Sequence, residues 1–199
     1  MIAIIDYGAG NIFSVKNALD YIGLPNILTN KKEELINADG LILPGVGAFP
    51  SAMKMLKETE LIDTIKEQAK LKPFLGICLG MQLIFSKGYE FEECDGLGLI
   101  KGTVELMEEP NISIPHIGWN KLEIQNECPL LNGLSEDKYV YFVHSYKAHC
   151  ADENISAFCE YGHKVPAIVF NGNIFGAQFH PEKSGDVGLQ ILKNFGGLL

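Results

Sequence analysis

The run Pro73-Phe74-Leu75-Gly76-Ile77-Cys78-Leu79-Gly80-Met81-Gln82 constrains this chain more than any other stretch. A continuous apolar segment suits a strand buried on both faces of a parallel sheet. Gly76 and Gly80, either side of Cys78, leave room for a sharp turn from that strand into a helix. Gly-x-Cys-x-Gly has the form of a nucleophile elbow, in which small flanking residues let the backbone bend until one side chain stands above the sheet. A buried cysteine in an ordinary strand-to-helix turn has the same local sequence, because free cysteine is among the most buried residue types. The rest of the chain must separate the two.

The segments before the elbow alternate between strand and helix. Ile2 to Ile5 is a short apolar run, broken by Asp6-Tyr7-Gly8-Ala9-Gly10-Asn11; Val15, Ala18, Leu19 and Ile22 then recur at helical spacing until Gly23-Leu24-Pro25. A second strand over Asn26 to Thr29 leads through a polar helix to a third, Gly40-Leu41-Ile42-Leu43. Helical periodicity from Ser51 to Lys70, with a break near Thr59, fills the crossover to the elbow strand. Such a β-α-β-α-β-α-β series requires a parallel sheet with right-handed crossovers. Gly8 and Gly10 invite a dinucleotide-binding reading, but Phe13 stands where a third glycine is needed and no acid closes the second strand. Pro44-Gly45-Val46-Gly47 at the end of the third strand is either a simple turn or an amide nest. Neighbouring strand ends of one parallel sheet lie side by side, which favours the nest once the next strand delivers Cys78.

After an elbow helix over Leu79 to Ser86 the texture changes. Short alternating segments at Leu99 to Met107, Lys121 to Ile124, Tyr139 to Val143 and Ile155 to Glu160 predict antiparallel strands. A hairpin is expected to turn at Asn171-Gly172, between Ala167 to Phe170 and Ile174 to Phe179, and a helix over Val187 to Phe195 closes the chain. No linker or repeat divides residues 1–199, so one domain is expected: α/β, with a mostly parallel central sheet flanked by helices and additional antiparallel strands in the second half.

The last strand runs into Gln178-Phe179-His180-Pro181-Glu182-Lys183-Ser184. In an extended segment residues two apart share a face, so His180 and Glu182 are expected to project together with Pro181 restraining the backbone between them. A carboxylate on one imidazole nitrogen sets the tautomer and leaves the other to take a proton from a thiol. A surface His-Pro-Glu turn is the plainer alternative. His116 and His144, flanked by aromatics, proline or glycine, read as surface recognition loops. His144, His149 and Cys150 fit no standard zinc spacing, so no metal and no cofactor are expected.

With 199 residues, 47% of them hydrophobic and 21% charged, the chain can bury a substantial core without disulfide or metal. A net charge of −9, from 16 Lys and Arg against 25 Asp and Glu, argues against nucleic-acid or anionic-membrane surfaces. Five cysteines with no Cys-x-x-Cys pair suit a reducing compartment. The start of the sequence lacks a basic leader and no apolar run approaches membrane-spanning length, so a cytoplasmic protein is expected.

Gly76-Ile77-Cys78-Leu79-Gly80-Met81-Gln82 together with Phe179-His180-Pro181-Glu182 resembles the class I, triad-type glutamine amidotransferases. Asp6 to Asn11, Pro44 to Phe49, Pro115-His116-Ile117-Gly118-Trp119-Asn120, Tyr141 to Tyr146 and His180 to Ser184 narrow the resemblance to the glutaminase subunits of imidazole glycerol phosphate synthases. It implies a flavodoxin-like sheet and a triad of Cys78 as nucleophile, His180 as base and Glu182 as its orienter, acting on L-glutamine. It also implies oxyanion donors at Leu79 and at Gly45, Val46 and Gly47, and substrate binding by Gln82. The family delivers its ammonia to a separate (β/α)₈-barrel cyclase subunit, forming a heterodimer. Asn11, Trp119, Tyr141 and Lys183 match positions at or near that interface.

Three other readings make distinct demands. A related glutaminase would serve a different synthase, such as one aminating a surface-sugar precursor. A stand-alone cysteine hydrolase needs neither the Trp119 loop nor Lys183. A silent regulatory module should have lost Cys78, His180 or Glu182, and all three are present.

Overall fold

The computed structural model describes residues 1–108 and 112–199. Its first half is the alternating series expected: β1 (Ile2–Ile5), α1 (Ile12–Tyr21), β2 (Asn26–Thr29), α2 (Lys32–Asn37), β3 (Gly40–Gly45), α3 (Phe49–Glu58), α4 (Ile62–Leu71), β4 (Phe74–Cys78) and α5 (Leu79–Leu83). The break at Thr59 is real, since α3 ends at Glu58. The second half comprises β5 (Phe85–Gly88), β6 (Cys94–Asp95), β7 (Ile100–Leu106), β8 (His116–Lys121), β9 (Glu123–Ile124), β10 (Tyr139–His144), β11 (Tyr146–Cys150), β12 (Ile155–Glu160), β13 (Lys164–Asn171), β14 (Ile174–Ala177) and α6 (Gly185–Gly196).

The large sheet has the order β2-β1-β3-β4-β14-β13-β12-β9. The strands from β2 to β14 in that order run parallel; β13, β12 and β9 continue it antiparallel. Strand period two divides the core. Ile2, Ile4, Ile42, Leu75 and Ile77 face Val15 and Leu19 of α1 and Ile191, Leu192 and Phe195 of α6. Ala3, Ile5, Leu41, Leu43 and Phe74 face Leu35, Phe49, Leu56 and Ile65 on the other side. Each fully buried Ile or Leu contributes about 1.5–3 kcal/mol, which is why short strands without polar residues hold the middle of the sheet. Two smaller sheets, β11-β7-β5-β6 and the β10-β8 ribbon, lie beyond it.

Several expected boundaries move. The elbow helix stops at Leu83 and residues Phe85–Gly88 become β5, because Phe85 and Gly88 pair with Ile100 and Val104 of β7. The expected strand at Lys121 to Ile124 is divided between β8, which begins at His116, and the two-residue β9, with fully buried Leu122 between them. The hairpin bends one residue later than expected, with Asn171 still paired to Ile174 and Gly172 at φ 59°. No helix among the described residues is long and apolar enough to cross a membrane.

Candidate active site

Cys78 is the last residue of β4, and its backbone stands at φ 54°, ψ −112°. Such a conformation costs a non-glycine residue about 1–3 kcal/mol and persists only where the surroundings over-determine it. The glycines on either side show how it is held. A Cβ on Gly80 would lie 1.8 Å from the Leu43 carbonyl oxygen, and one on Gly76 2.6 Å from the Gly80 carbonyl oxygen. Strand β3, strand β4 and the first turn of α5 therefore pack backbone against backbone, and the thiol is left at the corner.

His180 arrives from the adjacent strand. Gly176 and Ala177 of β14 pair in parallel with Gly76 and Ile77 of β4, so the chain leaving β14 reaches the same sheet end as Cys78. The expected extended His180-Pro181-Glu182 segment does not form; Pro181–Lys183 is a 3₁₀ turn, for which proline's restricted φ is suited. The two side chains still meet. His180 Nδ1 bonds Glu182 Oε1 at 2.8 Å, with the side chains only 3% and 1% exposed. Ser184 locks the turn, its hydroxyl donating to the His180 carbonyl (2.6 Å) and accepting the Tyr141 amide (3.0 Å). The His180 amide donates to the Tyr141 carbonyl (3.0 Å).

Because Glu182 holds the proton on Nδ1, Nε2 is the nitrogen left for the thiol, and it makes no hydrogen bond among the described residues. Burial is the largest single influence on this imidazole and works against its charged form. Cys78 and Glu182 together outweigh it and raise the pKa to about 9. The pair can therefore hold a proton on the imidazole beside a thiol sulfur at neutral pH.

A pocket of about 340 Å³ opens over these groups, lined by Cys78, His180, Leu79, Gln82, Val46 and Gly47 among others. Val46 and Gly47 are exposed, and they line the same pocket as Leu79. Gly45 lies just behind them, paired with Cys78 across β3 and β4. Gln82 is buried, with its Nε2 donating to the Tyr146 carbonyl (3.2 Å) and to Gln178 Oε1 (3.0 Å). All eight sequence-predicted triad, oxyanion and substrate positions thus converge.

The sequence left other contributors unmarked. Buried Tyr7 donates its hydroxyl to the Pro44 carbonyl (3.0 Å) and so braces the strand end carrying Gly45 and Val46. Burial first, and nearby Cys78 second, push its phenol above the ordinary value, so it stays a donor. Glu90 lines the pocket while accepting the Phe49 amide (2.7 Å). Gln178 is fully buried with its Nε2 4.0 Å from Cys78 Sγ. The last of these had a signal, since Gln178 precedes His180 by one strand period; Tyr7 and Glu90 had none beyond lying next to glycine or in an acidic loop.

The family model for class-I glutamine amidotransferases matches residues 3–196. This chain belongs to the class I glutamine amidotransferases. It is 54% identical over 200 residues to "Imidazole glycerol phosphate synthase subunit HisH" of Bacillus cereus (strain G9842), covering all of this chain and 95% of that one. The protein of the same name from Bacillus anthracis (strain A0248) matches at the same identity and coverage. A solved glutamine amidotransferase superposes with a TM-score of 0.76 at 21% identity, over 98% of this chain and all of the other, which shows the shared fold.

In this amidotransferase the four expected interface residues lie on or near the Pro181–Lys183 turn and the segments packed against it. Trp119, 54% exposed, pairs across the β8-β10 ribbon with half-buried Tyr141, their rings 5.9 Å apart. Lys183 is exposed at the pocket. Asn11 caps the start of α1, which packs against the Pro181–Lys183 turn, and its Oδ1 accepts the Ser14 hydroxyl (2.7 Å). His116 and His144 are not surface groups. They are 0% and 6% exposed, because the β8-β10 pairing turns them inward under Phe142 and Tyr161 while Ile117 and Trp119 face out.

Proposed function

We infer that this chain is the glutaminase subunit of an imidazole glycerol phosphate synthase. The observation that carries the chemistry is the buried His180–Glu182 pair with Nε2 free beside the thiol of Cys78; the full-length relatives support the synthase. Cys78 sulfur, its proton taken by His180, attacks the side-chain carbonyl carbon of L-glutamine. The tetrahedral oxyanion is received by backbone amides of Leu79 and of the Gly45-Val46-Gly47 segment, each such donor being worth about two to three orders of magnitude in rate. His180 returns the proton to the leaving nitrogen, ammonia departs, and a thioester remains. Water, deprotonated by the same imidazole, then releases glutamate and the thiol. Gln82 and the carboxylate of Glu90 hold the substrate, the latter suited to its α-ammonium group.

Ammonia released into bulk water is protonated and lost to synthesis. It is therefore discharged to a (β/α)₈-barrel cyclase subunit docked on Asn11, Trp119, Tyr141 and Lys183. That subunit combines it with a phosphoribulosyl formimino carboxamide ribotide to give imidazole glycerol phosphate and aminoimidazole carboxamide ribotide, in histidine biosynthesis. The chain acts as one domain, both cores sharing the central sheet. Its five free cysteines suit the reducing cytoplasm.

The test is glutamate release by the purified chain, alone and with a barrel-type cyclase and its ribotide. Release is expected to rise strongly with the loaded partner, and no release under any of these conditions would falsify the assignment. Trp119→Ala is expected to weaken that stimulation at least about tenfold, as loss of a buried aromatic anchor does, with little change in thermal unfolding.

The raised imidazole has a pH consequence. Its folded value of about 9 lies above the ordinary 6.5, so the native state binds the proton more tightly than the unfolded chain. The stability this contributes is full below about 6.5 and is lost as pH rises through about 9. Since His180 must donate to the leaving ammonia, kcat/KM for glutamine is expected to fall on an alkaline limb near pH 9. Glu182→Gln removes one of the partners that raise it and should move the limb to lower pH; a limb left in place would show that Glu182 does not act through the imidazole.

A further inference from the structure

His116 takes no part in the chemistry above, yet it is fully buried and both its ring nitrogens are bonded. The chain of contacts runs from the Glu160 carbonyl to Asn120 Nδ2 (3.2 Å), from Asn120 Oδ1 to His116 Nε2 (2.8 Å), from His116 Nδ1 to His144 Nε2 (3.1 Å), and from His144 Nδ1 to the Tyr146 carbonyl (2.8 Å). Both ends are backbone carbonyls, which only accept. Tyr146 therefore fixes a proton on Nδ1 of His144. Glu160 takes the Asn120 amide nitrogen, turning Oδ1 to His116 and fixing a proton on Nε2 there. With one proton each, both rings are neutral, and two lone pairs meet in the middle at 3.1 Å. Flipping Asn120 only moves the conflict, setting its Oδ1 against the Glu160 carbonyl. The chain closes with one further proton, shared between the two rings.

We propose that His116 and His144 are a positioning pair that holds one shared proton in the glutaminase-competent state and opens when that proton is lost, shifting the pocket wall from Val143 to Tyr146. The proposal rests on the glutaminase reading. His144 lines the pocket with Cys78 and His180, and the Val143 carbonyl lies 4.0 Å from Cys78 Sγ. The Tyr146 carbonyl accepts both from His144 Nδ1 and from Gln82 Nε2, so the pair sets a substrate-binding side chain through one shared acceptor. At the other end His116 sits on β8, three residues before exposed Trp119, and is in register with His144. The ribbon that meets the partner is thereby the ribbon that carries the proton.

The surroundings oppose and support the charge at once. Burial lowers the proton affinity of His116, and pushes His144 down to about 3 with repulsion from His116 and His180 added and the Tyr146 carbonyl acting against it. No carboxylate acts directly on either ring among the described residues; Glu182 and Cys78 act on His180. Support comes from the rings stacked on His116, Tyr161 at 3.9 Å and Phe142 at 4.8 Å, whose π faces favour an imidazolium. The Tyr161 hydroxyl is spent on the Ser113 carbonyl (2.8 Å). Opposed terms of this kind suit an element with two states, biased by what docks on the ribbon.

The test uses the full chain, ¹⁵N-labelled on histidine and bound to the cyclase subunit with its ribotide. Imidazole nitrogens are followed by long-range ¹H–¹⁵N NMR over about pH 5 to 8, where ordinary histidine changes charge. His116 and His144 are expected to titrate as a unit, one proton for two rings, with a strongly deshielded proton between them. Two rings neutral throughout, or titrating independently, overturn the shared proton. His116→Phe keeps the stacking ring and cannot hold the proton; its kcat for partner-stimulated glutamine hydrolysis is expected to fall about tenfold, and the pair's step is expected to vanish from the pH profile. An unchanged rate and profile overturn the positioning role, even with the shared proton observed. If that variant does not fold, the wild-type titration decides. Absence of wild-type glutamate release would sink the glutaminase reading instead, and the NMR result stands apart from it.

Discussion

Replacing Cys78 with alanine is expected to end glutamine hydrolysis while leaving synthesis from added ammonium salts to the cyclase partner. The Cys78 thiol stands at the corner of β4 and α5, in the same pocket as His180, whose other ring nitrogen is held by Glu182. Without the thiol the pocket can bind glutamine and polarise its carbonyl but has no atom to form the thioester. Removing the nucleophile of such a triad costs at least about four orders of magnitude, because its members act as a unit. The fold should be indifferent, since the buried Cys78 backbone is set by its neighbours rather than by its sulfur. The measurement is a paired assay in the assembled enzyme, with glutamine or an ammonium salt as nitrogen source. Loss of both activities would contradict the division of labour, and survival of the glutamine-dependent rate would remove Cys78 from the mechanism.

Gly80→Ala should be damaging for a different reason. Its Cβ would lie 1.8 Å from the Leu43 carbonyl oxygen, and the atom it meets belongs to a central strand of the sheet rather than to a flexible side chain. Relief requires parting β3 from the start of α5, which breaks the packing that holds Cys78 at φ 54°. A loss of more than about 4 kcal/mol is expected, in the range reserved for core overpacking and backbone strain. Denaturant unfolding measures the loss, and glutamate release should fall with it even at temperatures where the variant stays folded. A variant of wild-type stability and activity would mean that the elbow does not depend on this close approach.

Much of the site was open to view in the residues. Cys78 between two glycines, Pro44-Gly45-Val46-Gly47 on the neighbouring strand end, and His180 with Glu182 after the last strand are local patterns whose meaning depends on few long-range facts. The parallel pairing of β3, β4 and β14 is enough to bring them together. The His180–Glu182 contact was expected for the wrong backbone. An extended segment and a 3₁₀ turn both place two side chains within reach, so the pair survives the correction from one to the other.

The two buried histidines were misplaced for a physical reason. His116-Ile117-Gly118-Trp119 has the composition of an exposed loop, and nothing local says which of its alternating faces turns inward. Pairing with β10 decides it, burying His116 against Phe142 and Tyr161 and exposing Trp119. Tyr7 and Ser184 are similar cases. A hydroxyl carries no pattern in a sequence; its role is set by which carbonyl lies within 3 Å, here those of Pro44 and His180.

By itself, then, the order of residues settles the parallel α/β half and marks Cys78 and His180 as the proposed nucleophile and base. Each of these follows from periodicity or from spacing within a few positions of one chain segment. The inward faces of the ribbon, the length of the elbow helix, the Tyr7 brace on Pro44 and the chain of hydrogen bonds through Asn120, His116 and His144 were settled by packing. The contacts that decide them include His116 with His144, Tyr7 with Pro44 and Asn120 with Glu160, which are 28, 37 and 40 positions apart, so the burial of one side chain is decided by a segment it meets only after folding.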